Sequence, residues 1–335
     1  MGFDVFGMCN ALVDMQVQVE ESVLAELGVQ KGGMFLIDQT QRHQLLERLA
    51  SYMVHSEAGG SGANTMIGIA LLGGTACYTS KVAEDAQGDL YRRSLCDKGV
   101  KPNLAVGEGS TGVSFILMTP DAQRTMCTYL GASQQLRPEE VNVDDLRQSR
   151  YLYITGYMWD TESQKMAVLH AMHEANRAGV RVAFSLSDLF CVRRHKADFQ
   201  RLLEQHIDVL IGNAAEAQEL SGTDDPYRAV QTLSEYCEVA VVTMDSRGAL
   251  IRHRKTTYEI PAFRVKAVDA TGAGDMFAAG LLYGLCQGLP LEVSGRLAAY
   301  AAAQVVTRVG ARLDSLDIPA EILSMSGGVE ASSSR

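Results

Sequence analysis

The chain has 335 residues, 47% of them hydrophobic, enough for one large α/β core or a domain with an appendage, which excludes a disordered or peptide-like protein. Its 30 Lys and Arg against 40 Asp and Glu leave a net charge of -10. That excludes nucleic-acid and membrane-surface partners, which need a broad positive face, so any phosphate ligand must be met locally. The seven cysteines, Cys9, Cys77, Cys96, Cys127, Cys191, Cys237 and Cys286, form no C-x-x-C pair, as expected of reduced thiols in a cytoplasmic protein.

Residues 3–8 mix apolar side chains with one acid and carry no basic leader, so they read as a first strand and not as a signal peptide. No apolar run reaches the 18 residues of a membrane span. Short β-rich runs then alternate with helical stretches over residues 63–97, and again from Tyr151-Leu-Tyr-Ile through Val180-Arg-Val-Ala-Phe, Val209-Leu-Ile and Val239-Ala-Val-Val-Thr. This alternation predicts a doubly wound α/β fold with a mainly parallel sheet flanked by helices. Two segments break the rhythm. Residues 13–37, and residues 112–130 with the turn Pro120-Asp-Ala-Gln, hold short, partly alternating strands that predict a small β lid outside the main sheet. One large unit is expected over residues 1–325, with a disordered Ser- and Gly-rich tail over residues 326–335.

The segment Asp269-Ala-Thr-Gly-Ala-Gly-Asp275 opens into a helix of small residues starting at Met276. A Gly-rich turn at a helix start offers free backbone N–H groups and the positive end of the helix dipole to an anion. Asp275 beside that hole has two readings: a helix cap, or a carboxylate that takes a proton from an attacking hydroxyl. The second suits phosphoryl transfer, where the amides stabilise the transferred group. Gly107-Glu-Gly-Ser-Thr-Gly112 fits G-x-G-x-x-G but leads into a strand-like run where a dinucleotide site needs a helix, so it reads as a loop. A Walker-type P-loop sequence is missing.

The Asp269–Asp275 segment resembles the C-terminal signature of the ribokinase (phosphofructokinase B type) family of carbohydrate and nucleoside kinases. Gly59-Gly-Ser-Gly-Ala-Asn64 resembles the family's N-terminal signature, Asn213-Ala-Ala-Glu216 its N-x-x-E motif, and Thr243-Met-Asp-Ser-Arg-Gly248 its nucleotide-binding turn. Four matches in order span nearly the whole chain. Gly7-Met-Cys-Asn10-Ala-Leu-Val-Asp14, the stretch at residues 20–33, Tyr153-Ile-Thr-Gly-Tyr157-Met158 and Ser185-Leu-Ser-Asp-Leu-Phe190 are similar to the adenosine kinase branch, although Ala11 replaces a proline common there.

The resemblance implies ATP-dependent phosphorylation of a 5′-hydroxyl, with adenosine favoured among nucleosides. A sugar such as ribose, fructose or a ketodeoxy acid is the alternative acceptor, and a silent nucleotide-binding protein a third reading. It implies Asp275 as base, the Gly272, Ala273 and Gly274 amides as anion hole, and Arg124 closing from the lid onto phosphate, against a plain surface-turn role. Thr243, Ser246, Gly248, Thr271 and Asn213 would meet ATP, and Glu216 with Asn213 would reach Mg²⁺ through water, against an ordinary helix cap. A dependence on K⁺, which some relatives show, stays open.

On the acceptor side Asp14 would take the two hydroxyls of a cis-diol, or be a solvated strand end. Asn10 and Asn64 would contact the same sugar, and Gly59 and Gly60 would let backbone approach it. Met126, Tyr157 and Phe190 would sandwich a purine, or be ordinary core. His170, His173 and Glu174 look like half a zinc site, but that spacing on an amphipathic helix reads as a solvated face. The expected partner is a small molecule, bound by a monomer or homodimer.

Overall fold

The computed structural model describes residues 2–324 apart from Ala122, so the expected tail at residues 326–335 lies outside the described residues. In chain order the strands are β1 (Val5–Met8), β2 (Leu12–Gln18), β3 (Met34–Leu36), β4 (Met53–Gly59), β5 (Ala76–Ala83), β6 (Val100–Gly107) and β7 (Gly112–Met118). They continue with β8 (Arg124–Tyr129), β9 (Tyr151–Thr155), β10 (Arg181–Ser185), β11 (Val209–Asn213), β12 (Val239–Thr243), β13 (Ala249–His253) and β14 (Thr256–Ile260). Among the described residues these form a nine-stranded sheet, β14-β13-β12-β11-β10-β9-β1-β5-β6, and a five-stranded sheet, β3-β8-β7-β2-β4.

The large sheet is parallel from β12 to β6, and β13 and β14 add an antiparallel edge. Its strands are apolar on both faces, as a sheet covered by helices on both sides requires. Along β9, Tyr151 and Tyr153 join one core, and Leu152 and Ile154 join the other. The first core holds the helices Ser61–Leu71 and Ala273–Cys286, and the second holds Glu162–Ala178 and Leu189–Gln205. The doubly wound α/β architecture read from the alternation is therefore the fold.

The small sheet packs its inner face, with Val13, Met15, Val113, Phe115 and Cys127, onto the first core. It contains the two segments singled out in the sequence and also β4, which lies outside both and pairs antiparallel with β2. The sequence of β4, Met-Val-His-Ser-Glu-Ala-Gly, lacks a clean apolar alternation, so its pairing comes from its neighbour. Gly107 ends β6 and Gly112 starts β7, so no helix follows the G-x-G-x-x-G run.

Candidate functional site

Strand order reverses at β1, with β5 and β6 on one side and β9 to β14 on the other. In open parallel sheets ligands bind outside the carboxyl ends of the strands at such a point. A cavity of about 1040 Å³ lies there, lined by residues at or just past the ends of β1 (Asn10), β9 (Tyr157), β10 (Ser185), β11 (Asn213) and β12 (Thr243). The small sheet forms another wall through Leu12, Ile116 and Met126.

Two helices meet at its centre. The contacts Asn64 to Asp275 and Gly68 to Ala279 lie one turn apart on both helices, so Ser61–Leu71 and Ala273–Cys286 run side by side in the same direction. Their N-termini converge, and neither has a side-chain cap. Gly272, at the start of the second helix, has φ 79° and stands where a Cβ would collide with the Ala311 carbonyl, so the turn requires glycine. Of the three amides expected to form an anion hole, Ala273 N–H is already directed at the Ala270 carbonyl at 3.2 Å, a correction imposed by the tight turn. The Gly272 and Gly274 amides make no backbone hydrogen bond among the described residues.

Asp269 organises this loop. It accepts from the N–H (3.0 Å) and Oγ1 (2.8 Å) of Thr271 and from the Gly310 N–H (2.7 Å). Arg124 reaches across from β8 to pair with Asp269 and to donate to Thr271 Oγ1 at 2.5 Å. Its guanidinium thus ties the small sheet to the loop instead of pointing at the cavity centre. Asp275 accepts from Ser61 Oγ (2.5 Å) and Asn64 Nδ2 (2.9 Å). Burial raises its pKa, while these two donors and Arg312 oppose the rise.

Asp14 stands in the cavity wall with its carboxyl pushed up to about 7, chiefly by burial, with Glu57 and Asp275 adding to the shift and Arg312 and Arg124 opposing it. Gly59 does not line the cavity: a Cβ there would collide with the Asp14 carboxylate, so the glycine makes room for an acid and not for a ligand. Gly60 and Asn64 do line it. Asn10 lines it too, but its Oδ1 accepts from Gln164 Nε2 (2.6 Å) and Ser133 Oγ (3.1 Å) and its Nδ2 donates to the Tyr157 carbonyl (3.3 Å). Its amide is held by protein groups, which corrects the expectation of a free sugar contact.

Met126 and Tyr157 border this end of the cavity with Leu12, Met34, Leu36 and Ile116. Phe190 does not. It is 59% exposed and lies under the Arg194 guanidinium, 4.3 Å from the ring centroid. The reason is helical phase: Asp188 caps the helix through Cys191 N–H, Cys191 and Val192 turn inward, and Phe190 is left outside.

At the other end Thr243, Ser246, Gly248 and Thr271 line the cavity, beside an apolar surface of Phe263, Val265, Ala299 and Val306. Asn213 and Glu216 also line it, but they form a reciprocal capping box at the start of Ala214–Ser221. Burial pushes the Glu216 carboxyl up to about 7. Away from the cavity, Glu174 pairs with Arg147 and Arg177, and no cluster of three or more metal-binding side chains occurs among the described residues. No helix of the described residues is long and apolar enough to cross a membrane.

Ser61 and Asp269 stood inside the quoted motifs without a role, and their position before a helix was the available signal. Arg312 and Gln164 carried none, because both reach the site from distant segments.

Residues 34–318 match the sequence pattern described as pfkB family carbohydrate kinase. The chain is 27% identical over 285 residues to a 5-dehydro-2-deoxygluconokinase from Geobacillus thermodenitrificans, across 81% of this chain and 84% of the relative. Among solved structures it is 36% identical to a probable sugar kinase from Rhizobium etli CFN 42, with a TM-score of 0.87 over 93% of this chain and 96% of that one. It is likewise 36% identical to an adenosine kinase from Sinorhizobium meliloti, with a TM-score of 0.86 over 94% and 97%. The chain belongs to the pfkB carbohydrate kinase family, phosphotransferases that use an alcohol group as acceptor.

Proposed function

We propose that this kinase transfers the γ-phosphoryl group of ATP to the 5′-hydroxyl of a nucleoside, with adenosine the favoured acceptor. The observation that carries this reading is the apolar wall that Leu12, Met34, Ile116 and Met126 of the small sheet give a cavity also lined by Tyr157 and Asp14, with Met126 paired to both Met34 and Ile116. A free sugar has no apolar body to fill such a wall, whereas a purine does.

In this reading Asp14 accepts hydrogen bonds from the 2′- and 3′-hydroxyls, and Asn64 and the Gly60 backbone border the sugar. That leaves the 5′-oxygen near Asp275, whose carboxylate takes the proton. The Gly272 and Gly274 amides, with the helix dipole behind them, stabilise charge on the transferred group. Arg124 holds Asp269 and Thr271, and so the loop, in register with the small sheet. ATP places its adenine against Phe263 and Val265, with Thr243, Ser246 and Gly248 beside it. Glu216 and Asn213 would hold Mg²⁺ through water: Asn213 donates to both Glu216 carboxylate oxygens, and each oxygen keeps a further lone pair for a water of the ion's hydration shell. When bound, Mg²⁺ would neutralise phosphate charge.

A second reading, a sugar or ketodeoxy acid as acceptor, is favoured by the outward turn of Phe190, which leaves Tyr157 as the aromatic of this wall. ADP release measured against adenosine, inosine, guanosine, cytidine, ribose, fructose and a ketodeoxy sugar acid separates the two. The nucleoside reading expects adenosine to exceed ribose in kcat/KM by roughly 100-fold or more, the scale of lost apolar and stacking contacts. A sugar as the better substrate overturns it.

A further inference from the structure

Arg312 belongs to none of the motifs, yet its backbone is pinned from both sides. Ala311 abuts Gly272, and Leu313 packs with Met276 and Val305. The side chain is 6% exposed and runs inward behind the acceptor end. Its Nε donates to Asn64 Oδ1 at 2.9 Å, its Nη1 lies 3.4 Å from Ser94 Oγ and 4.0 Å from Glu57 Oε2, and its Nη2 is buried without a hydrogen-bond partner among the described residues.

We propose that Arg312 is a positioning residue for phosphoryl transfer: it fixes the Asn64 amide so that its NH₂ and not its oxygen faces Asp275, and it sets a positive charge behind the carboxylates of Asp14, Glu57 and Asp275. The role rests on Asp275 being the proton acceptor.

A guanidinium carries donors only, so the Asn64 atom that meets it must be the amide oxygen. The NH₂ end of Asn64 then points at Asp275 Oδ2. A protonated Asp275 would need an acceptor at that position, and Arg312 has taken the one Asn64 possesses. On its Asn64 side the arrangement therefore favours the ionised carboxylate, the form that can accept a proton, while the Ser61 hydroxyl can donate to that carboxylate. Electrostatics works in the same direction. Asp275 is faced by Ser61, Asn64 and Arg312, with Cys9, Tyr153 and Tyr157 near enough to feel its charge. Asp14 is faced by Glu57, Asp275, Arg124 and Arg312, with Tyr91 beside it. Arg124 is paired with Asp269 and acts on Asp14 as well, but Arg312 has the larger effect on Asp14 and also acts on Asp275.

The test uses the full chain with Arg312→Gln and Arg312→Lys, the acceptor that the unsubstituted protein turns over fastest, and ADP release from pH 5 to 9. For Arg312→Gln the expected result is a kcat lower by roughly 10-fold or more and an acid limb of kcat/KM moved up by about one pH unit, with KM for ATP within about twofold. Arg312→Lys keeps the charge and loses the planar fork, so its limb stays within about 0.3 pH unit while kcat falls roughly threefold or more. An unmoved limb and unchanged kcat in Arg312→Gln overturn the proposal. Should that variant fail to fold, Arg312→Lys decides: an unaltered kcat, or a displaced limb, overturns it. Absence of turnover by the unsubstituted chain with every alcohol tried overturns the reading of Asp275 and this role with it, a result distinct from turnover that ignores Arg312.

Discussion

Replacing Asp275 by Asn separates a proton acceptor from a helix cap. The carboxylate accepts from Ser61 Oγ at 2.5 Å and Asn64 Nδ2 at 2.9 Å. An amide of the same shape can turn its oxygen to Asn64 and its NH₂ to Ser61, whose hydroxyl rotates to accept. Two charge-assisted hydrogen bonds then become two neutral ones, a loss of roughly 1 to 3 kcal/mol. Against this, a neutral amide is less costly to bury than a carboxylate whose pKa burial has raised. The net change in stability is expected to stay within about 2 kcal/mol, or a melting shift under about 6 °C. Turnover loses the positioned base, which contributes roughly 10²- to 10⁴-fold, or about 3 to 5 kcal/mol of barrier. Coupled ADP-release kinetics, a thermal melt and an ATP titration measure the three quantities. A kcat within about fivefold of the unsubstituted chain would refute the role of Asp275 as base, and a melt lowered far beyond that range would mark it as structural.

Asp14→Ala is expected to weaken a ribonucleoside by roughly 2 to 4 kcal/mol, the scale of two charge-assisted hydrogen bonds, and to leave a 2′,3′-dideoxynucleoside unaffected; equal losses for both, measured by calorimetry, would contradict the diol assignment. Met126→Ala should cost roughly 1 to 3 kcal/mol toward adenosine through lost apolar contact, whereas Phe190→Ala, at an exposed position, should change it by less than about 0.5 kcal/mol; kcat/KM values reversed between the two variants would place the base elsewhere. Asp14 and Glu216 are both pushed up to about 7, so the folded chain keeps protons that the unfolded chain sheds near the ordinary carboxylate value. Their contribution to stability therefore falls as pH rises from about 4 to about 7 and is level above that. The urea midpoint of the combined Asp14→Asn and Glu216→Gln variant should lose that slope, and an unchanged slope would show that other groups set it.

The large sheet and its order of elements were legible from periodicity, because strands buried on both faces and amphipathic helices each impose a local pattern. The Gly loop was legible for a similar reason: a left-handed turn at a helix start demands glycine at Gly272, and Asp275 stands three positions on. β4 was not, since its pairing is set by β2 and not by its own alternation. Phe190 was expected to stack because Ser185–Phe190 resembles the adenosine kinase branch, and only the phase of the helix capped by Asp188 turned it outward. Asn10 is in the cavity wall, but Gln164 and Ser133 hold its amide. Arg312 shows the limit most plainly. Its partner Asn64 lies 248 positions away in sequence, and a guanidinium's effect on a carboxylate depends on distance and burial, which no local run of residues encodes. The sequence by itself determined the fold class and the residue types at the Gly loop, because backbone geometry and side-chain period act locally. Which polar groups are free, which are held by neighbours and which charges balance one another was decided by the tertiary structure, because Coulombic and hydrogen-bond interactions act through space.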